Sequence, residues 1–328
     1  MGDTNIEWTQ RPGTVGAVWN PTTGCDRISA GCDHCYALTM AKRLKGMGSA
    51  KYQTDGDPRT SGPGFGVAIH PGELEKPRSW RKPRTVFVNS MSDLFHARVP
   101  GEHIARVWQT MATTSRHTYQ ILTKRPERMR DWVNRCKVSP NGWITHDGTD
   151  PGGAYDGTGI IVGYPEPTWQ PGLDRGPRGG KLRGRGQPRA YGWPLSNVWL
   201  GTSIESDKHV GRADALRATP AAVRFISAEP LLGPLPSLDL TGIDWLILGG
   251  ESGAGARPLN VGWFHDLVDK AQDSGTAVFV KQLGAVWAQD THVAGQPVAR
   301  TDPKGGKLEY LPKALRIREY PTPRLAVA

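Results

Sequence analysis

Short apolar runs, rich in β-branched and aromatic residues, alternate along this chain with longer stretches whose apolar positions recur at helical spacing. The runs predict buried β-strands, and the longer stretches predict amphipathic helices. Such alternation is typical of βα units around a parallel sheet. The predicted strands are 17–19, 85–88, 118–122, 197–200, 224–227, 245–248 and 278–280, and the predicted helices are 36–48, 101–114, 127–136, 210–219 and 264–275.

Nearly every predicted strand ends in a small cluster of Asn, Ser, Lys, Glu or Gly residues. In parallel α/β folds, ligands bind at the carboxyl ends of the strands, so these clusters should converge on one mouth. About seven units predict an α/β protein with a parallel, TIM-like (β/α) barrel, partial or complete. A doubly wound open sheet is the alternative architecture.

The βα rhythm is interrupted once, which divides the chain into four predicted parts. Residues 1–138 form the first part of the barrel, and residues 196–285 form its second part. Between them, residues 139–195 are too long and too rich in Gly and Pro for an ordinary βα connection, and predict a basic, aromatic insertion or lid. Residues 286–328 predict an irregular C-terminal cap or tail with one or two hairpin-like pieces.

Three of the four cysteines, Cys25, Cys32 and Cys35, fall within eleven residues of one loop after the first predicted strand. Clustered thiolates suit an iron–sulfur cluster or zinc. A zinc site would need a fourth ligand from His34, His70, His96 or Cys136. A disulfide with a spare thiol fits this odd local count poorly. Cys136, alone in a predicted helix, is interpreted as a small buried hydrophobic residue.

The formal net charge of +10 points to a polyanionic partner. Six Arg and Lys residues stand against one acid within 174–189, and aromatic residues are interleaved with this part of the insertion. That combination suits single-stranded nucleic acid, whereas a solvated insertion that only maintains solubility is the alternative. No apolar run reaches the ~20 residues of a membrane helix, and the first ten residues lack a signal-peptide pattern. We therefore expect a cytoplasmic protein without a membrane partner.

The motifs of this chain resemble the radical S-adenosylmethionine superfamily, and within it a phage and actinobacterial three-Cys-motif family of unknown function. The resemblance implies a (β/α) barrel and a 4Fe–4S cluster held by Cys25, Cys32 and Cys35. It also implies S-adenosylmethionine, an electron donor and reductive cleavage of that cofactor. The spacing here is C-x6-C-x2-C, where the superfamily usually has C-x3-C-x2-C. The stretches that carry the resemblance are 19–37, 88–96, 121–126, 200–205, 225–231 and 249–253.

The resemblance and the chemistry of the strand ends together suggest roles for individual residues. His34 and Tyr36, which flank Cys35, are expected beside the cofactor. An acid such as Asp93 suits the ammonium of the methionine moiety, and Lys124 or Arg125 could pair with a carboxylate or phosphate. The remaining expected cofactor contacts are Asn89, Ser90, Ser92, Ser203, Glu205, Glu229 and Glu251, and Lys281 could contact substrate or phosphate.

Three functions follow from these expectations. The first is an iron–sulfur, S-adenosylmethionine-dependent radical enzyme that acts on nucleic acid or a nucleotide, in repair or modification. The second is a non-catalytic iron–sulfur or zinc protein that binds nucleic acid. The third is an ordinary barrel enzyme that uses Glu205, Glu229 or Glu251 as acid and base, with structural cysteines.

Overall fold

The computed structural model describes residues 3–138, 144–146, 160–163 and 192–323. Most of the predicted insertion at 139–195, including its basic run at 174–189, lies outside the described residues. The last residues of the predicted C-terminal tail, 324–328, also lie outside them.

Seven parallel strands form the main sheet, and each predicted strand is confirmed. Their order in the sheet follows their order in the chain, as it does in a (β/α) barrel. The chain is therefore an α/β protein with a parallel half-barrel. The strands are β1 (Val15–Trp19), β2 (Arg84–Val88), β3 (Thr118–Thr123), β4 (Val198–Ser203), β5 (Val223–Ala228), β6 (Trp245–Gly249) and β7 (Ala277–Gln282).

Six α-helices accompany this sheet within the described residues. The five predicted helices are confirmed, with one correction: the third ends at Asn134, and Cys136 begins a short strand. Cys136 is nevertheless buried in the main core, as predicted. The helices are α1 (Tyr36–Gly46), α2 (Gly101–Ala112), α3 (Pro126–Asn134), α4 (Arg212–Arg217), α5 (Gly262–Ser274) and α6 (Ala285–Asp290), of which α6 was not predicted.

The outer strands β1 and β7 are covered by the two ends of the chain instead of by each other. Asp3 forms an antiparallel bridge with Ala17 of β1, and Arg318 forms one with Phe279 of β7. The hydroxyl of Tyr320 donates a hydrogen bond to the carbonyl of Glu7, so the terminal segments meet. Because these segments occupy the exposed strand edges, the described sheet stays an open half-barrel.

The two faces of the sheet are buried in different ways. The outer face packs against the helices in one large core, which includes Val86, Ile121 and Leu246. The opposite face, called the inner face below, holds a layer of aromatic residues. This layer consists of Trp8, Phe87, Trp199, Phe225, Trp245, Phe279 and Tyr320.

Three small antiparallel sheets complete the described structure. Thr22–Thr23 pairs with Ala68–Ile69 beside the cysteine-containing loop, and Cys136–Val138, Ile144–His146 and Ile160–Gly163 form a second sheet. His292–Val293 pairs with Gln296–Pro297, which confirms a hairpin in the predicted C-terminal cap. Among the described helices, none is both long and apolar enough to cross a bilayer.

Candidate functional site

The loop of residues 24–35, called the cysteine loop below, lies across the carboxyl edge of the sheet. It contacts the segments that follow β2, β3, β4 and β6, so the ends of strands that are distant in sequence lie beneath one loop. The expected convergence of the strand-end clusters on one mouth is thereby observed.

The loop begins at a constrained glycine. Gly24 has φ +82°, and a Cβ at this position would lie 2.0 Å from the carbonyl oxygen of Gly66. A left-handed backbone conformation and a close backbone approach both require glycine here. The chain therefore turns sharply from the short strand Thr22–Thr23 into the cysteine loop.

Arg125 holds the first cysteine in place. Its Nη1 donates to Cys25 Sγ at 3.4 Å and to Asp93 Oδ2 at 2.9 Å, and its Nη2 donates to the carbonyl oxygen of Asp26 at 3.1 Å. One guanidinium thus connects the end of β3 with the loop after β2 and with the cysteine loop. Its planar fork of donors suits three acceptors at once.

The carboxylate of Asp93 is fully engaged within the protein. Its Oδ1 accepts from Phe95 N at 2.9 Å and from Thr123 Oγ1 at 2.7 Å, and its Oδ2 accepts from Lys124 N at 3.2 Å as well as from Arg125. In this arrangement Asp93 positions Arg125. Its expected contact with an ammonium group stays a prediction.

Asp26, directly after Cys25, is fixed by a second set of donors. Its Oδ2 lies 2.9 Å from His96 Nε2 and 2.7 Å from Arg98 Nη2. His96 Nδ1 accepts a hydrogen bond from the Arg98 backbone N–H, so the neutral ring donates through Nε2. Burial lowers the pKa of His96, which favours this neutral form. The Nε2–H of His96 is therefore used by its hydrogen bond to Asp26.

The middle of the cysteine loop covers Glu205, which follows β4. A Cβ at Gly31 would lie 3.0 Å from Glu205 Oε1, so a larger residue here would push the Glu205 side chain aside. Glu205 is 0% exposed; Arg212 Nη1 donates to its Oε2 at 2.9 Å, and Lys124 Nζ lies 3.9 Å from it. Burial opposes ionisation, but Lys124, a hydrogen bond from Ser29 and Arg212 outweigh it, and the pKa of Glu205 is lowered.

The end of the cysteine loop is tied to β6 through Glu251. Its Oε2 accepts from Arg257 Nε at 2.8 Å and lies 3.2 Å from His34 Nδ1, and its Oε1 accepts from Arg257 Nη2 at 2.6 Å. Arg257 also donates to the carbonyl oxygen of Ala30 at 3.0 Å. Burial opposes ionisation, but the Arg257 and His34 hydrogen bonds outweigh it and lower the pKa of Glu251 to about 2.

The serines after β2 bind the chain on both sides of the cysteines. The Tyr36 hydroxyl donates to the carbonyl of Ser90, and the Ser90 hydroxyl lies 3.2 Å from Asn20 Nδ2. The Ser92 hydroxyl donates to the carbonyl of Thr22 at 3.0 Å. These contacts fix the loop after β2 against the segments before and after the cysteine loop.

Two further predicted residues form an ion pair at the same edge. Lys281, on β7, contacts the carboxylate of Glu229, which follows β5. A Cβ at Gly249 would lie 2.9 Å from the Glu229 side chain, so glycine makes room for this carboxylate. Ser203, at the end of β4, is buried at 4% exposure. All predicted strand-end residues therefore lie at the carboxyl edge.

The three loop cysteines are free thiols. Burial raises the pKa of Cys25 to about 12, with Asp93 adding to the effect and Arg125 opposing it. Burial likewise raises the pKa of Cys35. Cys32 lies close enough to both to raise their pKa further. The described residues contain no group of three or more His, Cys, Asp or Glu side chains already gathered around a metal-sized position.

A family comparison matches almost the whole described fold. The model of the DUF5131 family, described as a protein of unknown function, matches residues 3–312. The chain belongs to the DUF5131 family. No curated protein and no solved structure matches it.

In this DUF5131 chain, sequence reasoning missed the residues that hold the cysteine loop in place. Arg257 stands six residues after Glu251 in an irregular segment, and Arg212 lies on α4, so neither belongs to a strand-end cluster. Asp26 is not among the predicted site residues, although it adjoins Cys25. Gly31 carries no signal beyond its position between two cysteines. Only tertiary contacts reveal these four.

Proposed function

We propose that this protein is an iron–sulfur enzyme of the radical S-adenosylmethionine type, acting on nucleic acid or a nucleotide. One observation carries the proposal. The loop with three free thiols covers the carboxyl edge of a parallel half-barrel, where Lys124, Glu205, Glu229 and Glu251 also lie. This edge is where α/β folds of this kind bind their ligands.

The donor set fits a cluster by its chemistry. Cys25, Cys32 and Cys35 would supply three thiolates, which are the usual ligands of iron–sulfur clusters. The raised pKa of Cys25 and Cys35 means that binding must displace their protons. When bound, the cluster supplies the electron for reductive cleavage of S-adenosylmethionine, and three protein ligands leave one iron open for that cofactor.

The contacts of the chain's own residues suit the other requirements of such a site. Arg125 donates to Cys25 Sγ and would offset negative charge on a thiolate. Lys124 and Lys281 add cationic groups at the mouth, while Glu205 and Glu229 offer acceptors to hydroxyl or ammonium groups. The cysteine loop, which approaches Glu205 closely at Gly31, covers this carboxylate, which is 0% exposed.

The proposed nucleic-acid substrate is supported by the charge of the chain. The net charge is +10, and the basic run at 174–189 lies in the insertion between β3 and β4. If this run contacts phosphates, affinity for a single-stranded oligonucleotide should fall steeply between 50 and 200 mM salt. A weak salt dependence would favour a small nucleotide substrate instead.

Anaerobic purification with iron and sulfide analysis tests the cofactor proposal. We expect about four irons per chain, an electron paramagnetic resonance signal that shifts on addition of S-adenosylmethionine, and 5′-deoxyadenosine under strong reduction. Cys32→Ser should lose all three. Cys136→Ala is the matched control, because Cys136 lies in the core and not in the cysteine loop.

Other outcomes separate the remaining functions. Iron without a cofactor-dependent signal would favour a non-catalytic iron–sulfur protein that binds nucleic acid. Zinc in place of iron would end the radical proposal. A Cys32→Ser variant with unchanged metal content would show that the cysteine loop is not the metal site.

A further inference from the structure

Gln120 lies on the inner face of the sheet with its whole amide buried. Its neighbours on β3, Tyr119 and Ile121, belong to the core on the helix side, so alternation places Gln120 on the opposite face. Gln120 is 0% exposed. Within the described residues, neither its Nε2 nor its Oε1 has a hydrogen-bond partner.

Asn89, at the carboxyl end of the adjacent strand, is buried in the same way. It is 2% exposed, and its Nδ2 and Oδ1 also lack hydrogen-bond partners in the described parts of the chain. Phe87 is the register partner of Gln120, so Asn89 stands two residues, or about 7 Å, nearer the mouth. The backbone N–H of Asn89 donates to the Trp19 carbonyl at 2.8 Å, which fixes its main chain.

This combination needs a physical explanation. Buried polar groups are nearly always hydrogen-bonded, because an unpaired group loses its water without compensation. Within the described residues, Gln120 on β3 and Asn89 directly after β2 carry two complete amides that have no hydrogen-bond partner. The φ of Asn89, +63°, lies in the left-handed region that asparagine tolerates better than most residues. An unsatisfied buried polar group in a native structure marks a place where a ligand or an ordered water supplies the partner.

The surroundings show where a ligand would lie. Val18, Phe87 and Leu122, on the inner face of β1, β2 and β3, are each partly exposed. By contrast, Trp245 and Ile247 on the inner face of β6 are 0% exposed. Among the described residues, the inner face is therefore less fully buried over its first three strands than over β6, although both amides are themselves buried.

We propose that Gln120 and Asn89 form a hydrogen-bonding site for a nucleobase, a proposal that rests on the proposed function. A primary amide offers a donor beside an acceptor, which matches the adjacent acceptor and donor on a base edge. The partly exposed Phe87 ring supplies a stacking surface. Two molecules could supply such a base with the same hydrogen-bonding groups. One is S-adenosylmethionine, through its adenine, and the other is the substrate, through its own base.

Ligand-observed nuclear magnetic resonance on the full, anaerobically purified chain tests the site. The probes are adenosine, guanosine, cytidine, thymidine and S-adenosylmethionine, each alone. Gln120→Leu removes one amide and should leave the melting temperature equal or higher, because an unpaired buried group is replaced by an apolar one. Asn89→Gly removes the other and keeps the positive φ. The exposed Gln272→Leu on α5 is the control.

We expect at least one probe to bind, with affinity reduced about tenfold or more in both variants and unchanged in Gln272→Leu. Binding confined to adenosine and S-adenosylmethionine assigns the site to the cofactor's adenine, whereas another nucleoside assigns it to the substrate. Absence of binding by every probe, as expected if trapped water satisfies the amides, overturns the proposal. Equal binding by the variants overturns it as well.

The two proposals can fail separately. Cofactor cleavage by the cluster-loaded chain is measured without reference to nucleoside affinity. A chain that binds a nucleoside through Gln120 and Asn89 but never cleaves S-adenosylmethionine keeps the base site and loses the radical function. A chain that cleaves the cofactor but binds no probe loses only the base site.

Discussion

Asp93 and Arg125 show how single residues organise the candidate site. Four donors occupy the Asp93 carboxylate, and one of them, Arg125, reaches Cys25 and the backbone of Asp26. A buried carboxylate with this many donors is held in one position. Its effect on the cysteine loop passes through Arg125.

Asp93→Asn should destabilise the fold by about 2–4 kcal/mol, because Arg125 loses its buried anionic partner and one acceptor becomes a donor. Urea unfolding measures this loss. Asp57→Asn is the matched control, since Asp57 pairs with Arg59 at the surface, where the Arg59 side chain is 87% exposed. Equal stability of Asp93→Asn and the wild-type chain would contradict the assigned role.

The stabilisation that Glu251 contributes at the cysteine loop depends on pH. Its pKa is about 2 in the folded chain, below the ordinary value of 4.5. A lowered folded-state pKa means that ionised Glu251 stabilises the fold above about pH 4.5, and that this contribution is lost as the pH falls toward 2. We expect the melting temperatures of the wild type and of Glu251→Gln to differ at pH 7, and the difference to shrink below about pH 4.5 and to vanish only near pH 2.

The exposed Glu309→Gln serves as the control for that series. Its melting temperature should track the wild type at every pH. A constant difference between Glu251→Gln and the wild type from pH 7 to pH 3 would show that the charge of Glu251 does not hold the loop.

At the scale of elements, the cysteine loop depends on two glycines. Gly24 provides the turn after the short strand Thr22–Thr23, and Gly31 allows the loop to approach the Glu205 carboxyl. Neither residue contributes chemistry. Because neither glycine has a side chain, the loop can lie close to the strand ends.

Gly24→Ala should cost more than about 2 kcal/mol, because the positive φ and the clash with the Gly66 carbonyl add. Gly48→Ala is the matched control: Gly48 has φ +74°, but nothing lies within 4 Å of its Cβ position. Gly48→Ala should therefore lose only the cost of the positive φ, about 1 kcal/mol of unfolding free energy. If Gly24→Ala and Gly48→Ala lost similar free energies of unfolding in chemical denaturation, the clash at Gly24 would contribute little.

At the scale of the whole molecule, the chain ends stabilise an open sheet. The 3₁₀ turn Glu7–Thr9 carries Trp8 into the aromatic layer, 4.7 Å from the Phe87 ring and 6.3 Å from the Trp245 ring. The C-terminal segment bonds along β7. Both edges of the sheet are therefore covered by the chain ends, and Trp8 adds to the aromatic layer on the inner face.

Trp8→Ala should destabilise the fold by about 3–5 kcal/mol, because it removes a buried ring from a layer that nothing else can fill. Met47→Ala, at a side chain that is 69% exposed, should change stability little. A small loss for Trp8→Ala in urea unfolding would show that the N-terminal segment only rests on the sheet.

The sequence by itself determined the seven strands, five helices and the cysteine loop at the mouth, because each depends on local periodicity and on chain order. The covering of β1 and β7 was not determined, since it rests on isolated bridges of Asp3 and Arg318, and the two terminal segments meet through Glu7 and Tyr320, which are 313 residues apart. Tertiary structure alone decided which partners the predicted residues have: Asp93 binds Arg125, and Glu251 binds Arg257 and His34. It also showed that the amide of Gln120 has no hydrogen-bond partner within the described residues, because a polar residue within a strand carries no sequence signal of whether its partner is present.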